Sequence, residues 1–267
     1  MLNHSFAVMA YKDSPYLPQC LDSLLAQSVK SHIYLATSTP SEYITTLSKK
    51  YGIDLYITDP GLGIAHDWNF SLHAAKTKYV TLAHQDDLYA PEYAANCYRA
   101  CEKFKNTLIC FTDYDEILDH KKRSKTLLLI TKKIMLRTFL PIKYQTRSKI
   151  RKHILLATGC PIAAPSVMYN LEQLRDFKFS AAMSINMDWD AWNRLAGKEG
   201  SFVYVPKVLL THRIHPGSAT TAGLKANLRQ QEDLIMFKRY WPDFIAKKLA
   251  KIYSRSYKSN EEKPDVS

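Results

Sequence analysis

Short apolar runs alternate with helical segments through residues 6–112, and this alternation restricts the fold more than any other feature of the chain. Apolar runs at 6–10, 32–36, 55–58, 79–83 and 108–112 predict five strands. The segments between them predict helices at 14–25, at 41–51 before Gly52, at 64–75 and from Pro91 onward. Strands and helices at this spacing predict an α/β fold built from βαβ units, with a mostly parallel sheet flanked by helices.

Polar residues follow several of these predicted strands. The segment His84-Gln85-Asp86-Asp87 follows the strand at 79–83, and Ala10-Tyr11-Lys12 follows the strand at 6–10. In open sheets of this kind, ligands bind beyond the carboxyl ends of the strands. The chain contains no GxGxxG and no GxxxxGK[ST] sequence, so neither a dinucleotide fingerprint nor a P-loop is expected.

Two adjacent carboxylates, Asp86 and Asp87, stand at the end of an apolar strand. One interpretation is a turn or a helix N-cap ahead of Pro91, where Asp is common. The other is a site for a hard divalent cation, Mg²⁺ or Mn²⁺, shared with the phosphates of a substrate. Such an ion would also explain why two like charges are tolerated side by side.

The five cysteines are odd in number and lack CxxC spacing. No basic segment followed by a long apolar core begins the chain, so we read the N-terminus as a strand and not as a signal peptide. No run of about 18 uncharged apolar residues predicts a membrane-spanning helix. These observations favour reduced core thiols and a cytoplasmic protein, with a metal pair at Cys97 and Cys101 as an unsupported alternative.

The net charge of +12 is concentrated in one part of the sequence. Residues 119–153 contain twelve Lys or Arg and a single acid, Asp119, so the segment carries +11. Its cations alternate with aliphatic side chains and few aromatics, which favours an anionic membrane surface over nucleic acid as the partner. The tail at 243–258 has the same character, and an ordinary solvated helix remains the alternative for both segments.

Four sequence blocks, taken in order, resemble the family 2 glycosyltransferases of the GT-A fold. They are FAVMAYKDSPYLPQCLDSLLAQS, GLGIAHDWNFSLHAAKTKYVTLAHQDDLYAPEY, MDWDAWNRLA and HRIHPGSAT, and together they extend over roughly residues 5–221. The resemblance implies transfer of a sugar, with inversion, from a nucleotide diphosphate sugar (a UDP-sugar is favoured) to an acceptor hydroxyl. It also implies a Mn²⁺ or Mg²⁺ cofactor and a base that takes the proton of the acceptor.

The resemblance assigns roles to particular residues at the metal. The DxD motif of the family corresponds to His84-Gln85-Asp86, so Asp86 is the expected metal ligand. Asp87 is expected to contact the sugar or support the ligands, and His84 replaces the Asp that usually contacts the ribose. His215, favoured over His212 in the loop predicted after the last strand, would complete the metal shell or contact the diphosphate.

The base and the donor pocket follow from the same comparison. Asp188 matches the family's acidic pair, with Asp190 as the runner-up; because the two lie about 200° apart on a regular helix, both cannot face one acceptor. Asp188 could instead cap the helix, and Trp189 and Trp192 are expected in the core more than in a sugar-stacking wall. The remaining donor-binding candidates are Ala10, Tyr11, Lys12, Ser38, Asp67 and Asn69.

The expected organisation is a glycosyltransferase domain at 1–225, with a basic helical insertion at 119–153, and a basic helical extension at 226–267. The expected role is bacterial surface polysaccharide assembly on a saccharide acceptor, lipid-linked in the simplest case, at the inner face of the membrane. Two other functions stay open. A sugar-phosphate nucleotidyltransferase usually has a Gly-rich loop after strand one, where this chain reads AYKDSPY. A non-catalytic membrane-binding or nucleic-acid-binding protein would use the basic segment.

Overall fold

The alternating first half of the chain forms the predicted strands and helices, most of them within two or three residues of the expected bounds. A computed structural model describes residues 1–104, 106–118, 121–140, 144–215, 217 and 228–255. The elements of this half are β1 (His4–Met9), α1 (Leu17–Leu25), β2 (His32–Thr37), α2 (Glu42–Tyr51), β3 (Asp54–Ile57), α3 (Ile64–His73), β4 (Tyr79–His84), β5 (Leu88–Tyr89), α4 (Tyr93–Lys103) and β6 (Thr107–Leu118).

Local sequence signals set the ends of α2. The Ser41 hydroxyl accepts a hydrogen bond from the backbone N–H of Ile44, which satisfies one of the free donors of the first turn. Gly52 ends the helix in the left-handed conformation, with φ of 63°, where a side chain would be strained. The N-cap interpretation of Asp86 and Asp87 is wrong, because α4 begins after Glu92.

The second half adds elements to both the sheet and the helical layers. They are β7 (Lys121–Arg123), α5 (Leu127–Phe139), β8 (Gln145–Thr146), α6 (Lys149–Leu156), β9 (Val167–Asn170), α7 (Met187–Ala196), β10 (Ser201–Ile214), α8 (Leu228–Lys238) and α9 (Asp243–Arg255). The described residues of the basic segment therefore form helices, as expected, but they also include two short strands.

The sheet has the strand order β3-β2-β1-β4-β9-β6-β10-β5, with β7 on β6 and β8 on β10. Strands β1 to β4 are parallel to one another, and β10 is parallel to β6. Strand β9 is antiparallel to both β4 and β6 and separates them, so the expected direct continuation of the parallel sheet is interrupted. The mostly parallel α/β fold is nevertheless confirmed.

Each central strand sends alternate side chains to the two faces of the sheet, which carry separate apolar clusters. In β1, Ala7 belongs to the cluster under α3 and α7, whereas Phe6 and Val8 belong to the cluster under α1, α2 and α4. Helices α8 and α9 join the first cluster through buried side chains, Met236, Phe237 and Ala246. The described part of the C-terminal extension thus shares the core of the preceding domain.

The last strand is longer than its sequence indicates. The apolar run SFVYVP predicts a strand at 201–206, but its predicted end is wrong, since β10 continues to Ile214. His212 therefore lies on a strand and not in a loop, because its pairing with Glu116 of β6 continues there. Of the loop predicted at 209–221, residues 216 and 218–221 lie outside the described residues.

All five cysteines are buried free thiols, as expected. Among the described helices, none combines the length and apolarity that crossing a bilayer requires.

Candidate active site

The candidate site lies at the carboxyl ends of β1, β2 and β4, where parallel strands leave backbone groups and loop side chains free to bind ligands. The chain turns sharply after β4, and the N–H of Asp87 donates to the carbonyl of His84 over 3.2 Å. This turn brings Asp86 and Asp87 between the end of β4 and the end of β10.

Asp87 is fully buried and is bound to β10. Its Oδ1 accepts hydrogen bonds of 2.9 Å from the His212 ring and from the backbone N–H of Arg213. Burial opposes protonation of His212, but the charge and hydrogen bond of Asp87 outweigh it and raise the pKa of His212 to about 9. The Oδ2 atom of Asp87 is buried and has no hydrogen-bond partner.

Asp86 is in direct contact with the other predicted metal ligand. Its Oδ2 lies 2.9 Å from the Nε2 of His215. Burial favours the neutral acid, but the hydrogen bond from His215 and the nearby rings of His84 and His212 outweigh it and lower the pKa of Asp86. The carboxylate is therefore held in the charged form that a cation requires.

Three side chains, His84, Asp86 and Asp87, offer ligand atoms that all lie within 4.8 Å of one another. The Nε2 of His84 is buried without a partner, as is the Oδ2 of Asp87. Buried polar atoms are normally satisfied, so this pair of open positions fits a bound cation. Carboxylate oxygens suit Mg²⁺ and Mn²⁺, and the imidazole favours Mn²⁺ of the two.

The structure brings His84 and Asp87 into the cluster with Asp86. The resemblance had placed His84 at the ribose, and Asp87 either at the sugar or in support of the metal ligands. His215 reaches the same cluster through Asp86.

The predicted donor-binding residues of β1 and β2 form a polar rim beside this cluster. The side-chain amide of Gln85 pairs with the backbone of Tyr11, accepting from its N–H and donating to its carbonyl, both over 2.9 Å. Lys12 has a φ of 54°, and its N–H donates to Thr39 over 2.7 Å. Sequence reasoning missed Gln85, whose role depends on the approach of two strand ends that are 74 residues apart.

Ser38 and Asp67 meet at the same rim. The Ser38 hydroxyl donates to Oδ2 of Asp67 over 3.0 Å, while Oδ1 of Asp67 is buried without a partner. Burial raises the pKa of Asp67, against the opposing effects of Ser38 and His66. The neighbouring Ala10 is also buried, and its N–H donates to the carbonyl of Ala36 over 2.9 Å.

Asn69 does not belong to this rim, and its assignment to the donor pocket is corrected. Its amide accepts from the N–H of Phe179 over 2.7 Å and donates to the carbonyl of the same residue over 2.9 Å. Both polar ends of the side chain are therefore engaged in holding a loop to α3.

Arg213 is not an exposed surface residue, and two of its guanidinium nitrogens are bonded within the protein. It is buried, and its guanidinium donates to the carbonyl of Asp86 over 3.0 Å and to Gln19 over 2.8 Å. The guanidinium also lies 4.5 Å from the centre of the Tyr16 ring, which in turn lies 5.0 Å from the His215 ring. Arg213 therefore fixes the turn that carries Asp86.

The first turn of α7 supplies the acid expected to act as base. Asp188 is half-buried, and its Oδ1 accepts a 2.7 Å hydrogen bond from the N–H of Trp189. Burial raises its pKa, and the nearby Arg229, Lys132 and His84 only partly offset this effect. The charge of His84 acts to lower the pKa of both Asp188 and Asp86.

Asp188 is not the N-cap of α7, since that position is Asn186. Asp190 occupies a different environment and is corrected as a candidate base. It is 3% exposed, and its two oxygens pair with Arg194 over 2.8 Å and with Arg239 over 2.6 Å. Trp189 and Trp192 are both fully buried, so the preferred assignment of these rings to the core is confirmed.

Glu232 of α8 holds the segment that enters α7. Its carboxylate accepts three backbone hydrogen bonds of 2.7, 2.9 and 2.7 Å from residues 184, 185 and 186. The side chain of Asn186 adds a 2.8 Å bond to Asp233. Sequence reasoning missed this contact, and only the isolated acids in a basic tail could have indicated it.

Glu232→Gln should lower the free energy of unfolding by about 2 kcal/mol, because a buried charge that satisfies three N–H donors is replaced by an amide. Urea denaturation would measure the change. Glu172→Gln is the matched control: this acid is exposed and lies 3.7 Å from Lys78, so the expected change is below about 0.5 kcal/mol. Equal changes in both variants would contradict the assigned role of Glu232.

Several solved structures share the fold of the chain. S. aureus TarS aligns with a TM-score of 0.59 and 11% identity, over 100% of this chain and 46% of that one, so the chain spans less than half of TarS. TarS 1–349 in complex with UDP-GlcNAc aligns with a TM-score of 0.57 and 12% identity, over 97% of this chain and 73% of that one. The mannosyltransferase PcManGT from Pyrobaculum calidifontis, in complex with GDP-Man and Mn²⁺, aligns with a TM-score of 0.62 and 12% identity, over 98% and 76%.

A search of curated proteins gave no match. The family model for Glycosyl transferase family 2, in contrast, matches residues 5–164, which include β1 to β6, the Asp86-Asp87 turn and the polar rim. That span is more than half of the chain, and the protein therefore belongs to the family 2 glycosyltransferases.

Proposed function

We propose that the protein transfers a sugar, with inversion, from a nucleotide diphosphate sugar to the hydroxyl of a saccharide acceptor. The observation that carries this proposal is the cluster of His84, Asp86 and Asp87, with two unpartnered buried atoms, beside the polar rim. The base candidate Asp188 lies close enough to His84 for the charge of that ring to lower its pKa. Charge neutralisation at one end and proton removal at the other are the two requirements of glycosyl transfer.

Each part of the site takes one task in this proposal. Asp86 and His215 hold the divalent cation, with His84 and Asp87 close enough to contribute. When bound, the cation supplies positive charge for the departing nucleoside diphosphate. Tyr11, Lys12, Ser38 and Asp67 receive the nucleoside, and Gln85 fixes the backbone of Tyr11 against it. Asp188 takes the proton of the acceptor hydroxyl.

We propose a UDP-sugar as the first donor to test, with Mn²⁺ ahead of Mg²⁺. The neighbouring folds support both choices, since one was solved with UDP-GlcNAc and another with GDP-Man and Mn²⁺. The proposed setting is a cytoplasmic enzyme at the inner face of the membrane that extends a lipid-linked saccharide during surface polysaccharide assembly. The basic segment is what supports the membrane part of the proposal.

Thermal shift with a panel of nucleotide sugars, each with and without Mn²⁺, tests the proposal. A donor at about 100 times its Kd adds about 2.7 kcal/mol to the stability of the folded state, and the midpoint should rise by roughly 5–10 °C. The rise should require Mn²⁺. The absence of any shift across the panel, in the presence of the metal, would contradict the proposal.

The products of turnover distinguish the proposal from a nucleotidyltransferase. Glycosyl transfer releases a nucleoside diphosphate, whereas activation of a sugar phosphate releases inorganic diphosphate. The sequence AYKDSPY, which follows β1 without a glycine, favours the former.

A further inference from the structure

Three helices, α5, α6 and α9, present large apolar side chains to solvent. On α5, Leu127, Ile130 and Ile134 are 81%, 42% and 59% exposed, and their spacing places them in one stripe. The opposite side of α5 is buried through Leu129 and Leu136, so the stripe is not simply the core face of the helix. The exposed apolar residues of the other two helices are Ile150 and Ile154 on α6 and Phe244 and Ile252 on α9.

Cations surround these apolar side chains. On α9, Lys248, Lys251 and Arg255 are exposed on the same side as Phe244 and Ile252, since all five positions recur at helical spacing. Arg137 ends the stripe of α5, and Arg151 is exposed beside Ile150. The three helices are described over their whole length and contain a single acid, Asp243, which pairs with Lys238 and Lys247.

Each of the three helices contacts residues near Asp188, the proposed base, or near the helix α7 that carries it. Lys132 of α5 donates to the Tyr114 hydroxyl over 2.8 Å, and its charge acts on Asp188. The Tyr253 ring of α9 lies 5.9 Å from the ring of Trp189, the residue after that acid. Lys152 of α6 donates to backbone carbonyls just after α7, at residues 198 and 200. A surface bound by these helices would therefore be close to the acceptor side.

We propose that the exposed faces of α5, α6 and α9, here called the docking surface, bind a bilayer of anionic phospholipid. Cations would meet the headgroups while the aliphatic side chains enter the interface, the combination that holds amphipathic helices on membranes. Nucleic acid fits less well, because single-stranded sites depend on aromatic stacking and Phe244 is the one aromatic among the exposed apolar residues of these helices. The inference rests on the proposed function for its purpose, since a lipid-linked acceptor would be presented there.

Vesicle co-sedimentation of the full chain tests the proposal. We expect binding to vesicles of phosphatidylcholine with added phosphatidylglycerol, weaker binding to phosphatidylcholine alone, and weakening by salt. The double variants Leu127→Gln/Ile134→Gln and Phe244→Gln/Ile252→Gln should each bind at least about tenfold more weakly, because two apolar side chains no longer enter the interface.

The matched control is Ile57→Gln. Ile57 is 55% exposed, close to the 59% of Ile134, but it lies on the edge strand β3. The control should bind vesicles as the wild type does, and circular dichroism should show all variants folded. A charge-reversal variant, Lys248→Glu/Lys251→Glu, should lose the preference for anionic lipid.

Equal vesicle binding by the double variants and the wild type would overturn the proposal. So would salt-sensitive binding to DNA without binding to vesicles, or self-association in sedimentation velocity that the double variants abolish. Hydrolysis of a nucleotide sugar in free solution separates this test from the proposed function. A variant that loses vesicle binding but keeps hydrolysis tests the docking surface alone. A wild-type protein that binds vesicles but does not hydrolyse the nucleotide sugar would contradict the proposed function alone.

Discussion

Asp86→Asn is expected to lower the rate of sugar transfer by about 10³-fold and to remove its dependence on Mn²⁺. The substitution keeps the size of the side chain but removes the charge that the histidines hold ionised. Without that charge, the cation loses its main oxygen ligand, and the departing diphosphate loses the positive charge that stabilises it. The hydrogen bond to His215 can be replaced by the amide, so the fold should persist.

Calorimetric titration with Mn²⁺ and initial rates with and without added metal would measure both effects. Asp54→Asn is the matched control: it is the same substitution on β3, at a carboxylate that is 63% exposed and bonded to His32. Its activity and metal affinity should equal those of the wild type. Wild-type metal affinity in Asp86→Asn would refute the metal assignment, whatever the rate.

The first four strands and three helices could be predicted because their signals are local. The apolar runs of the strands and the leucines at helical spacing in α1 are properties of neighbouring residues. The position of β9 between β4 and β6 has no such signal. It is a four-residue strand whose place is decided by pairing with residues about 60 to 90 positions away, and sequence patterns do not record which strands will pair.

The candidate site also combines contacts that the sequence indicated with contacts that it did not. The resemblance assigned Asp86 to the metal and His215 to the metal shell or the diphosphate, and the two side chains are in contact. Asp87 was expected to contact the sugar or to support the metal ligands, and one of its oxygens is used in hydrogen bonds from His212 and the backbone N–H of Arg213. That use depends on the extension of β10 past its predicted end, which brings a strand against the turn. Residue types therefore indicated a site here, but the role of each residue in it depends on packing between distant parts of the chain.

The structure suggests a role for His84, the residue at which the chain departs from the family pattern. In sequence it was the residue that replaced an expected Asp at the ribose. In the structure its ring packs 5.3 Å from the Trp68 ring, and its buried Nε2 is open beside Asp86 and Asp87. An imidazole at this place gives the cluster a nitrogen donor in addition to carboxylate oxygen.

Asp188→Asn and Asp190→Asn are expected to affect different properties, although the two acids are only two residues apart on α7. The first should lower the rate of transfer, and the second should lower the stability of the fold. Asp188→Asn should lower kcat by about 10³-fold with little change in donor KM, because a base is lost and the donor contacts are not. Asp190→Asn should leave kcat within a few-fold of the wild type. It should instead lower the free energy of unfolding by about 2 kcal/mol, because Arg194 and Arg239 lose a buried partner.

Rates and urea denaturation of both variants, measured together, decide between the two assignments. The wild-type pH profile adds an independent check, since burial raises the pKa of Asp188. A base must be deprotonated, so kcat/KM should fall as the pH drops through that raised pKa, above the value of about 3.9 for an ordinary Asp. A profile that stays flat down to the ordinary range, or an Asp190→Asn variant that folds stably but does not turn over, would move the base from Asp188 to another residue. If both variants behave as expected, helix geometry alone separates the two roles, because the two residues lie about 200° apart within the first turn of α7, with Asp190 paired to Arg194 and Arg239 and Asp188 on the other side of the helix.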